Sequence, residues 1–249
     1  RFVHYVHQVS KQHNKRFQTY SQEDVSEFIF FILELFNDYL KSSKDYVPTS
    51  KNSSEEFKKK MFKKEYSPII ELFYGIQVST IARKDNNTIL KEVPEHFSVL
   101  TLHLLQEKET TITECIQDYC KKELLDGENQ YQISDDNPEK VDATKCVQFY
   151  ELPTILIIIL KRYSNFMRKR HDSVEIQETL HLDTFAKTPN NNYELFGVNL
   201  HSGVLGGGHY MAVIKNNKNW YIFNDANINK ISFSKIKTNP NVYCLFYRK

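Results

Sequence analysis

The sequence predicts an α+β fold in which helices lead and a sheet follows. Three observations carry that expectation. Apolar residues recur every three or four positions in two early segments; they alternate or run continuously in most segments after residue 150; and turn residues punctuate those later segments. Hydrophobic residues make up 40% of the 249, and 17 Phe with 15 Tyr supply β-compatible bulk for one sizeable core.

Ser21 followed by Asp24 resembles a capping box, and Val25, Phe28, Ile29, Ile32, Phe36 and Tyr39 form an apolar stripe, which predicts a core-facing helix over roughly 21–40. Glu23, Asp24 and Glu27, beside Gln22, suit the positive end of that helix dipole. Residues 41–66 hold eight lysines against four acids, with Ser42, Ser43, Ser53, Ser54 and one proline, and are expected to form a mobile, solvated loop or insertion. Steering of a partner is the alternative use of that charge. Residues 69–81 and 96–104 are expected as strands of a long hairpin across the polar stretch 83–88. Thr111 with Glu114 offers a second capping box, and Ile112, Cys115, Ile116 and Tyr119 complete a helical stripe behind it. Residues 125–129 read as a turn, and the polar segment to Lys145 could close another hairpin. The β-branched and leucine-rich run at 155–160 reads as a buried strand, and further strands are expected near 193–200, 209–215, 219–224 and 242–247.

Four of the seven glycines, Gly203, Gly206, Gly207 and Gly208, crowd into six positions directly before His209. Met211, Val213 and Ile214 follow, then a turn at Asn216 and Asn217, then Trp220, Tyr221, Ile222, Phe223, Asn224 and Asp225. A hairpin here brings His209 and Asn224, 15 positions apart (224 − 209), together across the ladder. A carboxamide beside one imidazole nitrogen fixes the tautomer and orientation of the other, as a general base requires. Glycines would let an extended substrate backbone pass close to that histidine. The hairpin alone is equally well read as a glycine-rich turn with a half-buried histidine.

Composition narrows the classes. A net charge of +2 does not call for nucleic acid, and the longest aliphatic run, 152–160, contains a proline and falls far short of the roughly 20 residues of a membrane helix. Cys115, Cys120, Cys146 and Cys244 form no C-x-x-C pair, so reduced thiols are expected rather than a disulfide framework or cysteine zinc site. The apolar setting of Cys115 and Cys120 should raise their pKa values, which argues against either as an attacking thiolate. His4, His7 and His13 lack a cysteine or carboxylate at ligand spacing and read as solvated.

Taken in order, several segments resemble the ubiquitin-specific protease family of papain-like cysteine hydrolases, across nearly the whole chain. Ser21-Gln22-Glu23-Asp24-Val25-Ser26-Glu27-Phe28 is similar to the family's Gln-Gln-Asp-Ala-x-Glu-Phe helix start. Phe73-Tyr74-Gly75, Glu95-His96-Phe97 and Leu100-Thr101-Leu102 resemble its first finger strands, and Leu125-Asp126-Gly127-Glu128-Asn129-Gln130-Tyr131 its Leu-Asp-Gly-x-Asn-x-Tyr element. Leu152-Pro153 through Leu160-Lys161-Arg162-Tyr163 matches its Leu-Pro…Leu-Lys-Arg-Phe strand. Leu200-His201-Ser202-Gly203, Gly207-Gly208-His209-Tyr210 and Trp220-Tyr221-Ile222-Phe223-Asn224-Asp225 resemble its histidine box.

The resemblance implies a papain-like fold of one catalytic domain over 1–249: a partial helical thumb at 1–66 with the basic insertion 41–66, mainly fingers at 67–160, and a palm at 161–249. It implies His209 as general base, Asn224 as its orienting partner and Asp225 as a supporting polar group, with His201 a competing but structural histidine. Gln22, Asp24, Tyr163, Gly207, Gly208 and Tyr210 would hold the extended ubiquitin tail, Asp24 by facing one of its basic residues. The expected partners are ubiquitin and ubiquitinated proteins, with no nucleic acid, membrane or cofactor, acting as a monomer in cytoplasm or nucleus. Two departures from the family pattern matter. Where it often carries two C-x-x-C pairs, this chain reads Ala82-Arg83-Lys84-Asp85 and Ile133-Ser134-Asp135-Asp136, so a structural zinc is not expected. The family's Thr-Cys-Tyr nucleophile, which precedes the Gln-Gln-Asp helix, is also missing, so the chain is expected to be an N-terminally truncated deubiquitinase, inactive alone; the alternative is a non-catalytic ubiquitin-binding scaffold.

Overall fold

The chain folds into a helical cluster, a four-stranded sheet and an eight-stranded sheet in the computed structural model, which describes residues 2–13, 17, 21–42, 46–48, 53–105, 110–134, 138–163, 169–204 and 207–249. Ser43, Gly206 and the Asp135-Asp136 pair lie outside the described residues, as does the side chain of His13. The amino-terminal half runs α1 (Phe2–His13), α2 (Val25–Leu40), α3 (Ser53–Phe62), α4 (Pro68–Phe73), β1 (Gly75–Arg83), β2 (Ile89–Phe97), β3 (Leu100–His103), β4 (Thr110–Thr111) and α5 (Ile112–Tyr119). Then come β5 (Glu123–Leu125), β6 (Tyr131–Gln132), β7 (Lys140–Val141), β8 (Ala143–Glu151), β9 (Ile155–Lys161), β10 (Val174–Glu175) and β11 (Thr179–His181). The last strands are β12 (Asn192–Val204), β13 (Gly207–Asn216), β14 (Asn219–Asn224), β15 (Asn227–Ile231) and β16 (Val242–Arg248).

The large sheet has the order β15-β14-β13-β12-β16-β9-β3, with β11 paired to β12 off that path. Its centre is covered on both faces, and β9 shows why. Leu156, Ile158 and Leu160 enter one hydrophobic cluster with α5, whereas Ile157 and Ile159 enter another with Leu33 of α2 and Ile69 of α4. A strand buried on both sides must be apolar at every position, which accounts for the unbroken run in the sequence. α5 begins as expected: Thr111 accepts from the Glu114 N–H at 3.2 Å, and Glu114 accepts from the Thr111 N–H at 2.7 Å.

Four expectations need correction. α2 starts at Val25 with Asp24 as its cap, and its apolar residues serve two faces: Val25, Ile29 and Leu33 meet the sheet, while Phe28, Phe31 and Ile32 pack on α1 with Phe17. Phe36 and Tyr39 of the expected stripe are exposed. Within 41–66, residues Ser53–Phe62 form a helix, α3, where loop was expected, while the described residues 41–42 and 46–48 carry no regular structure. In α3, Phe57 packs against Tyr150 with ring centres 5.4 Å apart and Phe62 packs among Tyr66, Tyr74 and His96, so two aromatic anchors outweigh the surrounding charge. Residues 68–73 are helical rather than the start of a strand, because Ser67 caps the Ile69 and Ile70 N–H groups and Pro68 sits in the first turn. The hairpin is therefore β1 with β2, from Gly75↔Phe97 to Ala82↔Ile89, and Leu100–His103 departs to pair in parallel with β9.

The four-stranded sheet, β2-β1-β8-β5, forms the fingers. At the tip, where the sequence lacks cysteines, Arg83 meets Glu139 at 3.3 Å, the Lys84 N–H donates to Asp142 O at 3.0 Å, and Gln130 donates to the Asp142 carboxylate at 2.8 Å. No described helix is long and apolar enough to cross a membrane.

Candidate active site

The β13–β14 ladder runs from Asn216↔Asn219 to Ala212↔Phe223, leaving His209 and Asn224 beyond its open end on the same face of the sheet. The ring Nε2 of His209 lies 2.6 Å from Oδ1 of Asn224, so Nε2–H donates to the carboxamide oxygen and Nδ1 keeps its lone pair. Asp225 bends the chain away in a left-handed conformation (φ 52°), and its carboxylate stands 3.8 Å from the same Nε2. The imidazole remains about half exposed, open to an incoming group.

Next to this pair lies a groove of about 420 Å³ lined by Gln22, Asp24, Tyr163, Gly207, Gly208 and Tyr210, together with Glu23, Glu27, His201 and Val204. All six residues expected to hold an extended tail line this one trough, which includes Gly208 and Tyr210, the two neighbours of His209 on β13, but not His209 itself. Gln22 ties its walls together by accepting from the Gly208 N–H at 2.8 Å.

Asp24 is the electrostatic centre of the groove. Its Oδ1 accepts from the N–H of Ser26 at 2.7 Å and from the Ser26 hydroxyl, and its Oδ2 accepts from Tyr243 at 2.9 Å and Tyr210 at 3.3 Å. Burial works against ionisation, but the hydrogen bonds from Ser26, Tyr243 and Tyr210 outweigh it and hold the carboxyl below its ordinary pKa. Burial and the neighbouring Asp24 charge push both tyrosines up, so they remain neutral donors. Tyr243 was not among the expected site residues. It stands 219 positions from Asp24 on the last strand, and no local pattern marks it.

His201 is buried, and its Nδ1 accepts from Tyr163 at 3.0 Å and Lys169 at 3.3 Å. Burial first, and the Lys169 ammonium second, lower its pKa and favour the neutral ring. Its place explains one glycine. A Cβ on Gly208 would collide with the His201 ring and lie 2.6 Å from the Ser202 carbonyl, so the absent side chain serves internal packing before any passing substrate. At Gly207 an added Cβ would meet only Gln22 Oε1, at 3.7 Å.

The four cysteines lie elsewhere. Cys115 is buried on the core face of α5 and Cys244 within β16, and burial raises both thiols. Cys120 is pushed up to about 11, also by burial, and Cys146 lies on the fingers strand β8. Among the described residues no three His, Cys, Asp or Glu side chains are placed to hold a metal ion.

Comparison with known proteins agrees with this architecture. The family model "Ubiquitin carboxyl-terminal hydrolase" matches residues 4–247. The chain is 28% identical to ubiquitin carboxyl-terminal hydrolase 5 of Saccharomyces cerevisiae over 278 residues, covering 95% of this chain and 33% of that protein. It is 27% identical to ubiquitin carboxyl-terminal hydrolase 4 of Eremothecium gossypii, covering 95% of this chain and 32% of that protein. The chain therefore spans about a third of the length of these relatives. Among solved structures, the SAGA DUB module of Ubp8, Sgf11, Sus1 and Sgf73 bound to monoubiquitin matches with a TM-score of 0.77 and 26% identity, over 98% of this chain and 52% of the other. The same module bound to ubiquitin aldehyde matches with a TM-score of 0.74 and 25% identity, over 98% of this chain and 53% of the other. Those neighbours are assemblies of several subunits, so the expectation of a monomer gains no support from them. The fold is the papain-like one of ubiquitin-specific proteases, and the chain belongs to the ubiquitin carboxyl-terminal hydrolase family.

Proposed function

We propose that this chain carries the base, its orienting partner and the tail groove of a thiol-dependent deubiquitinase that cleaves the bond after the terminal glycine of ubiquitin. The observation that carries the reading is the 2.6 Å contact between His209 Nε2 and Asn224 Oδ1, next to a groove lined by both chain neighbours of His209. With Nε2 committed to Asn224, Nδ1 takes the proton from a thiol, and the thiolate attacks the terminal glycine carbonyl. The imidazolium then returns that proton to the leaving amine, and water hydrolyses the thioester. Asn224 holds the ring, and the exposed Asp225 carboxylate stands 3.8 Å from the same nitrogen. Gln22, Asp24, Tyr163, Gly207, Gly208 and Tyr210 seat the tail, with the acidic wall facing its basic residue. A thiol reaction suits a reducing compartment, cytoplasm or nucleus.

None of the four cysteines lies on β13 or β14 with His209 and Asn224, and burial raises the thiols of Cys115, Cys120 and Cys244, which supports a thiol other than these four. That observation also favours a second reading, a ubiquitin-binding protein without hydrolytic chemistry. Ubiquitin with a thiol-reactive carboxyl end separates the possibilities. The 249-residue chain should bind ubiquitin without forming an adduct, and an adduct on one of its own cysteines would overturn the thiol assignment. In a longer natural protein that does form the adduct, His209→Ala should cut turnover by about 10²–10⁴-fold while binding persists. If no longer form reacts, the scaffold reading stands.

A further inference from the structure

Away from the groove, α3 carries charge that its own docking does not use. Lys58 is spent inward, 2.6 Å from Glu151 and 3.2 Å from Glu55, and Glu55 also accepts from the Tyr46 hydroxyl at 2.5 Å. Lys59, Lys60 and Lys63 are exposed, and no ion pair among the described residues takes them up. With Tyr46 and Glu56 they line a cavity of about 550 Å³. The rim is built rather than loose. The Tyr46 N–H donates to Lys63 O at 2.8 Å, the Tyr46 ring packs tilted against Tyr66 with centres 4.2 Å apart, and Lys63 is held in a left-handed conformation (φ 41°).

We propose that this cavity is a docking site for a short acidic peptide segment with at least one apolar side chain. Three ammonium groups against one carboxylate give it a local excess of positive charge, and the Tyr46 ring with the exposed Val47 beside it offers apolar surface. A long polyanion fits less well, because the cations are confined to about two helical turns and the whole chain carries only +2. The site is independent of the hydrolase reading, since none of its residues lines the groove.

The test is fluorescence anisotropy of the full chain with a labelled twelve-residue peptide of Glu interrupted by two Phe, at low and moderate salt. Binding should weaken with salt, and a peptide with Gln in place of Glu should not bind. The triple variant Lys59→Gln, Lys60→Gln, Lys63→Gln should lose affinity about tenfold or more with Tm changed by only a few degrees. The same charge change at the exposed Lys218, Lys230 and Lys235 should leave affinity within about twofold. Equal loss in both triples, no binding of the acidic peptide, or tighter binding of a single-stranded RNA twelve-mer through the same lysines would each overturn the proposal.

Discussion

Removing the Asp24 carboxylate should cost stability as well as ligand affinity, because its oxygens hold the groove together in the empty protein. In Asp24→Ala the N-cap bond to Ser26 goes, worth about 1 kcal/mol. The Tyr243 and Tyr210 hydroxyls lose a charged acceptor at the same time, and such bonds contribute roughly 1.5–3 kcal/mol each before water in the open groove replaces part of the loss. A total of about 2–4 kcal/mol follows, a fall in Tm of roughly 5–15 °C for a chain of this size. Urea denaturation of wild type, Asp24→Ala, Tyr243→Phe and the double variant measures it, and the Asp24–Tyr243 pair should couple in the cycle by at least about 0.5 kcal/mol. The carboxyl is held below its ordinary pKa, so its stabilisation is complete above the unfolded value and drains away as pH falls through the folded one; Asp24→Ala should lack that acid limb. A change below about 0.5 kcal/mol with additive effects would refute the argument and leave Asp24 an isolated surface carboxylate.

Gly208→Ala should destabilise by about 1–3 kcal/mol, since both the His201 ring and the Ser202 carbonyl stand in the way; unchanged thermal stability would show that β13 shifts freely. Arg162 is fully buried and donates to the carbonyls of Val242, Arg170 and Asp172, so Arg162→Lys should cost roughly 2–3 kcal/mol by chemical denaturation, because an ammonium cannot reproduce the planar fork. The lowered pKa of His201 means the unfolded chain takes up its proton first as pH drops below about 6.5, so stability should decline from there downward; His201→Gln should flatten that limb in thermal melts between pH 7 and 5.

Local pattern was enough for the imidazole–carboxamide pair and for α5. His209 and Asn224 are joined by one hairpin, so strand periodicity and one turn bring them together without help from the rest of the chain. The Thr111–Glu114 box closes within a single helical turn. The net charge of the lysine-rich segment hides α3, because its anchors Phe57 and Phe62 pack on Tyr150 and His96, which lie far along the chain.

What the amino-acid order determined alone was the family's set of motifs, the hairpin and the imidazole–carboxamide pair. Tertiary structure decided that α2 serves two faces, that Gly208 makes room for His201, and that Tyr243, 219 residues away, completes the Asp24 cluster. The division has a physical cause. Contacts within a turn are set by backbone geometry and leave a period in the sequence, whereas contacts between distant segments depend on how the sheet stacks its strands, and a single tyrosine meeting a single carboxylate leaves no period to read.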